Sequence, residues 1–304
     1  MRVVKASAEI LDWGDMNVAQ RIEAAGRVAY QSQHKITEDS AGKFCRMIIE
    51  RGHDSVLEFG MLVLILDLNV ALSKENGLEI FNEFIHENFN NDSFLNYIKF
   101  DVDKGTGEVA LTASVRVLRQ LKPLGNIIVI DIFRALKQML PNLFFDIPVT
   151  EGLHKGIVQN IGGWDDFIPV LFNVSRGVSH QLVRHRKNSV IQESQRYCNY
   201  SQDRFSNQIT FIEPSAYNFS EEEYRRWEQS CEYAEKHYFK LLETQSPQAA
   251  RTVLPNSTRT KLIIYADPGQ WRHIFSLRCS PAADPAMREV MIPLEQEFKE
   301  RGII

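Results

Sequence analysis

The sequence predicts an α+β protein with a mixed or antiparallel sheet and long helices. Stretches with apolar residues at helical spacing are interleaved with short apolar or alternating stretches, and the two do not follow a regular βαβ order. Neither GxGxxG nor GxxxxGK[ST] occurs, so no Rossmann phosphate loop or P-loop is expected. Any phosphate-bearing ligand must then be gripped by side chains and helix ends.

Residues 1–11 alternate and predict a strand. Met16–Tyr30 reads as an amphipathic helix with Val18, Ile22, Ala25 and Val28 on one face. A second helix is expected over 38–51, ended by Gly52. Ser55-Val56-Leu57-Glu58 fits a capping box, and Phe59–Val70 reads as a buried strand. A helix follows over Leu72–Phe89. Leu95–Val102 and Glu108–Val117 predict short strands around a turn at 103–107. Gly125–Phe144 mixes β-branched and helical signals, with a helix in its second half, and 147–165 reads as loop. Phe167–Val174 is an apolar strand feeding a helix over Val178–His185. Ser189–Arg196 reads as loop or extended chain. Ser220 opens a long helix to about Thr244, with acidic residues in its first turn. Pro247 starts a short helix carrying Arg251, and Thr260–Tyr265 is a strand. Asp267-Pro268-Gly269 turns into the helix Gln270–Arg278, and Pro285–Arg301 is a terminal helix.

At 304 residues, 44% hydrophobic and 24% charged, the chain is long enough for one large core, or a core plus an insert. A net charge of −4 argues against a dedicated nucleic-acid binder, whose footprint is a basic domain. No stretch reaches the roughly 20 apolar residues of a membrane span. The opening residues lack the apolar core of a secretory signal, so a cytoplasmic location is expected. Cys45, Cys198, Cys231 and Cys279 show no CxxC spacing, so neither a zinc site nor a disulfide framework is expected. His180 and His185 are five apart, poor spacing for two ligands of one metal on a helix, and no metal is expected.

Chemistry concentrates in residues 184–197. Arg184, His185, Arg186, Ser189, Ser194 and Arg196 crowd fourteen positions with few apolar residues between them. That much charge requires a partner to neutralise it, here a small bound anion. Gln181 and Arg184 are three apart and would share a helix face. The extended segment beyond can aim a hydroxyl, backbone N–H groups and a guanidinium fork at one phosphate. The plain alternative is a solvated basic stripe.

This segment resembles the signature of the flavin-dependent thymidylate synthases: Arg184-His185-Arg186, seven residues, Ser194, then Arg196-Tyr197. Three further elements follow the family's order. They are His53-Asp54-Ser55-Val56-Leu57-Glu58, Ala250-Arg251 through Pro255, and Trp271-Arg272-His273 through Leu277-Arg278. Together they cover 1–65 and 166–304, so 66–165 is expected to be an insertion or elaboration within one domain of the flavin-dependent thymidylate synthase fold. One departure stands out. Many members carry Asn-Glu where this chain has Ile191-Gln192, and the acidic group sits instead at Glu193.

The resemblance implies methylation of dUMP to dTMP with methylenetetrahydrofolate as one-carbon donor. FAD, reduced by NADPH, would supply the hydride in a homotetramer whose sites lie between subunits. It implies dUMP contacts from Gln181, Arg184, Glu193, Ser194, Gln195, Arg196, Arg251 and Arg278. FAD contacts would come from His53, Ser55, Glu58, Arg184, His185, Arg186, Gln192, Asp267 and His273. Arg278 would activate the pyrimidine, since a permanently charged donor stabilises negative charge developing on uracil. Simpler roles exist for several of these: a surface salt bridge for Arg251, a helix C-terminal arginine for Arg278. The other class of thymidylate synthase uses a cysteine thiolate, and none of the four cysteines has an evident histidine neighbour in sequence. Two alternatives remain open: a nucleotide-binding flavoprotein without synthase activity, and a nucleic-acid-binding protein using the arginine-rich loop.

Overall fold

In a computed structural model, residues 1–70, 74–89, 98–103, 105–121, 126–149, 156–163 and 166–304 are described. The starts of the expected helix at Leu72 and strand at Leu95, the start at Gly125, position 104 of the expected turn and parts of 147–165 lie outside them. The class is α+β. Among the described residues, two four-stranded antiparallel sheets are accompanied by one parallel pair of short strands.

The chain begins with β1 (Arg2–Val4) and β2 (Ser7–Ile10), followed by α1 (Val18–Tyr30), α2 (Ser40–Glu50) and β3 (Met61–Asp67). Next come α3 (Lys74–Phe89), β4 (Ile98–Asp103), β5 (Glu108–Ser114), α4 (Val115–Arg119), α5 (Ile127–Met139), α6 (Pro141–Phe144) and β6 (Val158–Gly163). Then follow β7 (Ile168–Ser175), α7 (Arg176–Leu182), β8 (Ser189–Gln192), β9 (Thr210–Ile212), α8 (Glu221–Leu242), α9 (Pro247–Ala250), β10 (Arg259–Ala266), α10 (Pro268–Arg278) and α11 (Pro285–Glu300). The chain divides into two compact units. The first comprises Met1–Asp12, Gly26–Gln33 and Asp166–Ile304; the second comprises Trp13–Ala25 and His34–Asp165. The 66–165 segment set apart in the sequence lies inside the second.

In the first unit the sheet order is β2-β7-β10-β8. Period-2 alternation puts Val170, Phe172 and Val174 of β7 with Leu262, Ile264 and Ala266 of β10 on one face. That face packs on Trp271, Ile274 and Phe275 of α10 and on Met287, Val290, Met291, Leu294 and Phe298 of α11. α8 begins at a capping box: Ser220 Oγ accepts from the Glu223 N–H while the Glu223 carboxylate accepts from the Ser220 N–H. The expected single strand over 1–11 is two strands in different sheets, because β1 pairs with β9 in parallel and β2 pairs with β7.

In the second unit the order is β4-β5-β3-β6. β3 is central, which explains its nearly continuous apolar run. Four expectations change here. Ser55 does not cap a helix: the six residues Asp54–Phe59 form a 3-10 helix without a side-chain cap bond, and Glu58 is ion-paired with Arg116. The strand expected to reach Val117 stops at Ser114, whose hydroxyl accepts from the Val117 N–H and starts α4. The β-branched run Ile127–Ile130 is helical, because Asn126 caps Ile128 and Ile128, Val129, Ile132, Phe133 and Leu136 are buried at helical spacing. Part of the expected loop 147–165 is strand β6. The buried Asp131 carboxylate accepts from the N–H groups of Ile157 and Val158 at its start. No helix among the described residues is long and apolar enough to cross a membrane.

Candidate functional site

The residues singled out around 181–196 and 251–278 all belong to the first unit. β7 runs directly into α7, capped by Ser175, whose hydroxyl accepts from the Val178 N–H. The helix ends earlier than expected, at Leu182. Arg184 and His185 therefore stand beyond its last turn rather than on its face with Gln181. Lys187 adopts a left-handed φ of 67° and turns the chain into β8. β8 pairs antiparallel with β10, so the segment is extended as far as Gln192, and Glu193 to Arg196 follow beyond the strand in coil and turn.

Arg278, at the C-terminal end of α10, converges on this turn. Its Nε–H donates to His185 Nε2 at 2.9 Å, and its terminal nitrogens donate to the Gln181 carbonyl oxygen at 3.0 Å and to Gln181 Oε1 at 3.4 Å. Three of the guanidinium's five N–H bonds are used this way, leaving donors for an added acceptor. Because Arg278 only donates, His185 accepts at Nε2 and is neutral. Burial, then the charge of Arg278 and then His273 push its pKa down from 6.5 to about 4. Burial, with Arg184 beside it, lowers Arg278 as well. The His185 and His273 rings meet edge to face at 6.3 Å.

Asp284 anchors the other side of Gln181, although the motifs did not point to it. Its carboxylate accepts from Gln181 Nε2 at 3.0 Å and from the Tyr217 hydroxyl at 2.7 Å while capping α11 through the Ala286 N–H. The Asp-Pro pair at 284–285 is a legible helix start, but its second task is not. Arg176 was also missed. It is half-buried, bonds His180 at 3.2 Å, and its pKa is lowered by burial and by the nearby charge of Arg251.

Glu193 is buried and its carboxylate is engaged internally. It accepts from the Tyr200 hydroxyl at 2.7 Å, from Arg259 at 2.9 Å and from the Lys261 N–H at 3.3 Å. Gln192 Nε2 donates to the Ser179 and Thr260 hydroxyls. Ser194 donates its N–H to the Ala29 carbonyl, and its hydroxyl faces the Arg196 N–H at 3.4 Å. Gln195 is buried with Nε2 unpartnered. Arg196 donates to Gln248 Oε1 of α9 at 2.8 Å and lies over the exposed Tyr197 ring. Arg251 follows in the next turn. Asp267 caps α10 by accepting from the Gln270 N–H. Arg184, Arg186 and His273 are exposed. His53, Ser55 and Glu58 form a group of their own in the second unit, with Glu58 held by Arg116.

Residues 168–301 match the model of the thymidylate synthase complementing protein family. Two curated relatives are similar over about two fifths of the chain. A flavin-dependent thymidylate synthase from Geobacter sulfurreducens is 33% identical over 122 residues, 40% of this chain and 51% of that one. One from Pyrococcus abyssi is 32% identical over 128 residues, 42% of this chain and 52% of that one. The chain thus spans about half the length of the curated relatives it matches. The crystal structure of a UMP/dUMP methylase from Streptomyces cacaoi bound with 5-Br dUMP covers 99% of this chain and 91% of its own at 14% identity, with a TM-score of 0.41.

Proposed function

We propose that the protein is a flavin-dependent thymidylate synthase. In this reading it methylates dUMP to dTMP with methylenetetrahydrofolate as one-carbon donor and FAD reduced by NADPH, as a homotetramer. The observation that carries the reading is the convergence of Arg278 on Gln181 and His185 inside the family-matching region. Gln181, tied between Arg278 and Asp284, and Arg184 hold the uracil and ribose. Ser194, Arg196 and Arg251 hold the phosphate. The donors left on Arg278 meet the pyrimidine oxygen where negative charge develops. Glu193 and Gln195 take part through their main chain, since the Glu193 carboxylate is already bonded.

The donor set fits a flavin dinucleotide. Arg184, Arg186 and His273 are exposed donors suited to phosphate and ring heteroatoms, joined by His185, Gln192 and Asp267. The resemblance also puts His53, Ser55 and Glu58 forward as flavin contacts, and 66–165 as an elaboration of the same domain. When bound, reduced flavin supplies a hydride. The thiols support a route without a cysteine nucleophile. Burial pushes Cys45, Cys198 and Cys279 up to about 12 and raises Cys231 as well, so none is a ready thiolate.

The test is tritium release from [5-³H]dUMP with NADPH and methylenetetrahydrofolate, with and without FAD. Release that requires FAD is expected. Arg278→Ala should lower it by about 100-fold or more, as loss of a preorganised donor does, with the circular dichroism spectrum unchanged. No release from a protein that still binds flavin and dUMP would replace this reading with a non-synthase flavoprotein.

A further inference from the structure

On the first unit's sheet, the face away from the α10 and α11 core carries a second cluster of cations. Register puts Ser7 of β2 opposite Asn173 of β7, and Asn173 opposite Lys261 of β10. Three polar side chains therefore form one row across three strands, about 4.8 Å apart. Arg2 and Thr210 are paired where β1 meets β9, and Arg259 lies two residues before Lys261 on the same face. These residues line one pocket of about 340 Å³, together with Glu9. Glu193 compensates Arg259. Among the described residues, neither the half-buried Lys261 ammonium nor the exposed Arg2 guanidinium has an ion-pair partner. Burial first, with the like charges of Arg259 and Arg2, lowers the pKa of the Lys261 ammonium, and the carboxylates of Glu193 and Glu9 oppose the shift.

We propose that this pocket is a second anion site, separate from the 184–196 motif, that takes the phosphate group of a small molecule. An ammonium, two guanidiniums, two hydroxyls and an amide are more donors than the two oxygens of a carboxylate can use, and they suit the oxygens of a phosphate. Glu9, exposed at the opening, can accept from the protonated oxygen of hydrogen phosphate. Arg259 reaches the pocket and Glu193 alike, so its occupant is linked to the chain just before Ser194.

Calorimetric titration of the full chain with inorganic phosphate at low ionic strength tests this. Two phosphates per chain are expected, one at the motif and one here. Lys261→Gln should weaken the second about tenfold or more, the loss of a charge-assisted bond, and leave the first. Arg196→Ala should do the reverse. If Lys261→Gln fails to fold, Asn173→Leu carries the same expectation with a smaller loss. Loss with Lys261→Gln but not with Arg196→Ala would remove the motif reading and keep this one. No phosphate bound, or a single phosphate lost only with Arg196→Ala, would overturn it. In the Arg196→Ala background, a nucleoside 5′-monophosphate displacing phosphate from this pocket at lower concentration identifies a nucleotide as the source. Failure to do so identifies free phosphate.

Discussion

Glu193 shows how one buried carboxylate can hold the segment before Ser194 in place. It is fully buried, and its partners Tyr200, Arg259 and the Lys261 N–H use its lone pairs. Removing the charge leaves Arg259 half-buried and unpaired, so Glu193→Gln should cost about 3 kcal/mol of stability, read as a shift in the urea midpoint. Tyr200 reflects the same contact, since burial and then Glu193 push its hydroxyl pKa well up. His185 gives a pH signature. Its native pKa is about 4 against an ordinary 6.5. Between those values the unfolded chain takes up a proton that the native chain refuses. Stability should therefore be full above about pH 6.5 and fall as pH drops toward 4. Urea midpoints at pH 7.5, 6 and 5 check this, and His185→Gln should flatten the slope.

Elements here are bounded by side-chain caps more than by propensity. Ser114, Asn126, Ser175, Ser220, Ser246 and Asp267 each accept from a backbone N–H at a helix start. The long α8 depends most visibly on its box, and Ser220→Ala should lower stability by about 1 kcal/mol, measured by thermal denaturation. A cap followed by a strong pattern was readable in advance at Ser220, as was the helix start at Pro285. Where the pattern was ambiguous, packing decided. Ile127–Ile130 has β-branched residues that suit a strand, yet its alternate turns are buried and it is helical. β6 carries two glycines and few apolar residues, so it offers no period to read; its pairing with β3 and the Asp131 carboxylate hold it.

Across the molecule, the four thiols sit within the folded units rather than at bridges, and all are free. With Cys45, Cys198 and Cys279 pushed up to about 12, the native protein should react slowly with a thiol reagent at pH 7.5, and all four thiols should react once it is unfolded. Counting thiols with and without guanidinium checks this. The sequence by itself determined the class, most helix boundaries and the membership of the 184–197 motif, because periodicity, caps and a charge-dense run are local properties. Tertiary structure alone decided that α7 stops before Arg184, that Arg278 meets His185 and Gln181 across 93 and 97 positions of chain, that Asp284 joins them, and that Arg176 meets His180 near the charge of Arg251. It also decided which acid is a strut and which donors stay open. Those outcomes depend on which strands pair and on what each carboxylate finds within hydrogen-bonding reach, and neither is encoded in spacing along the chain.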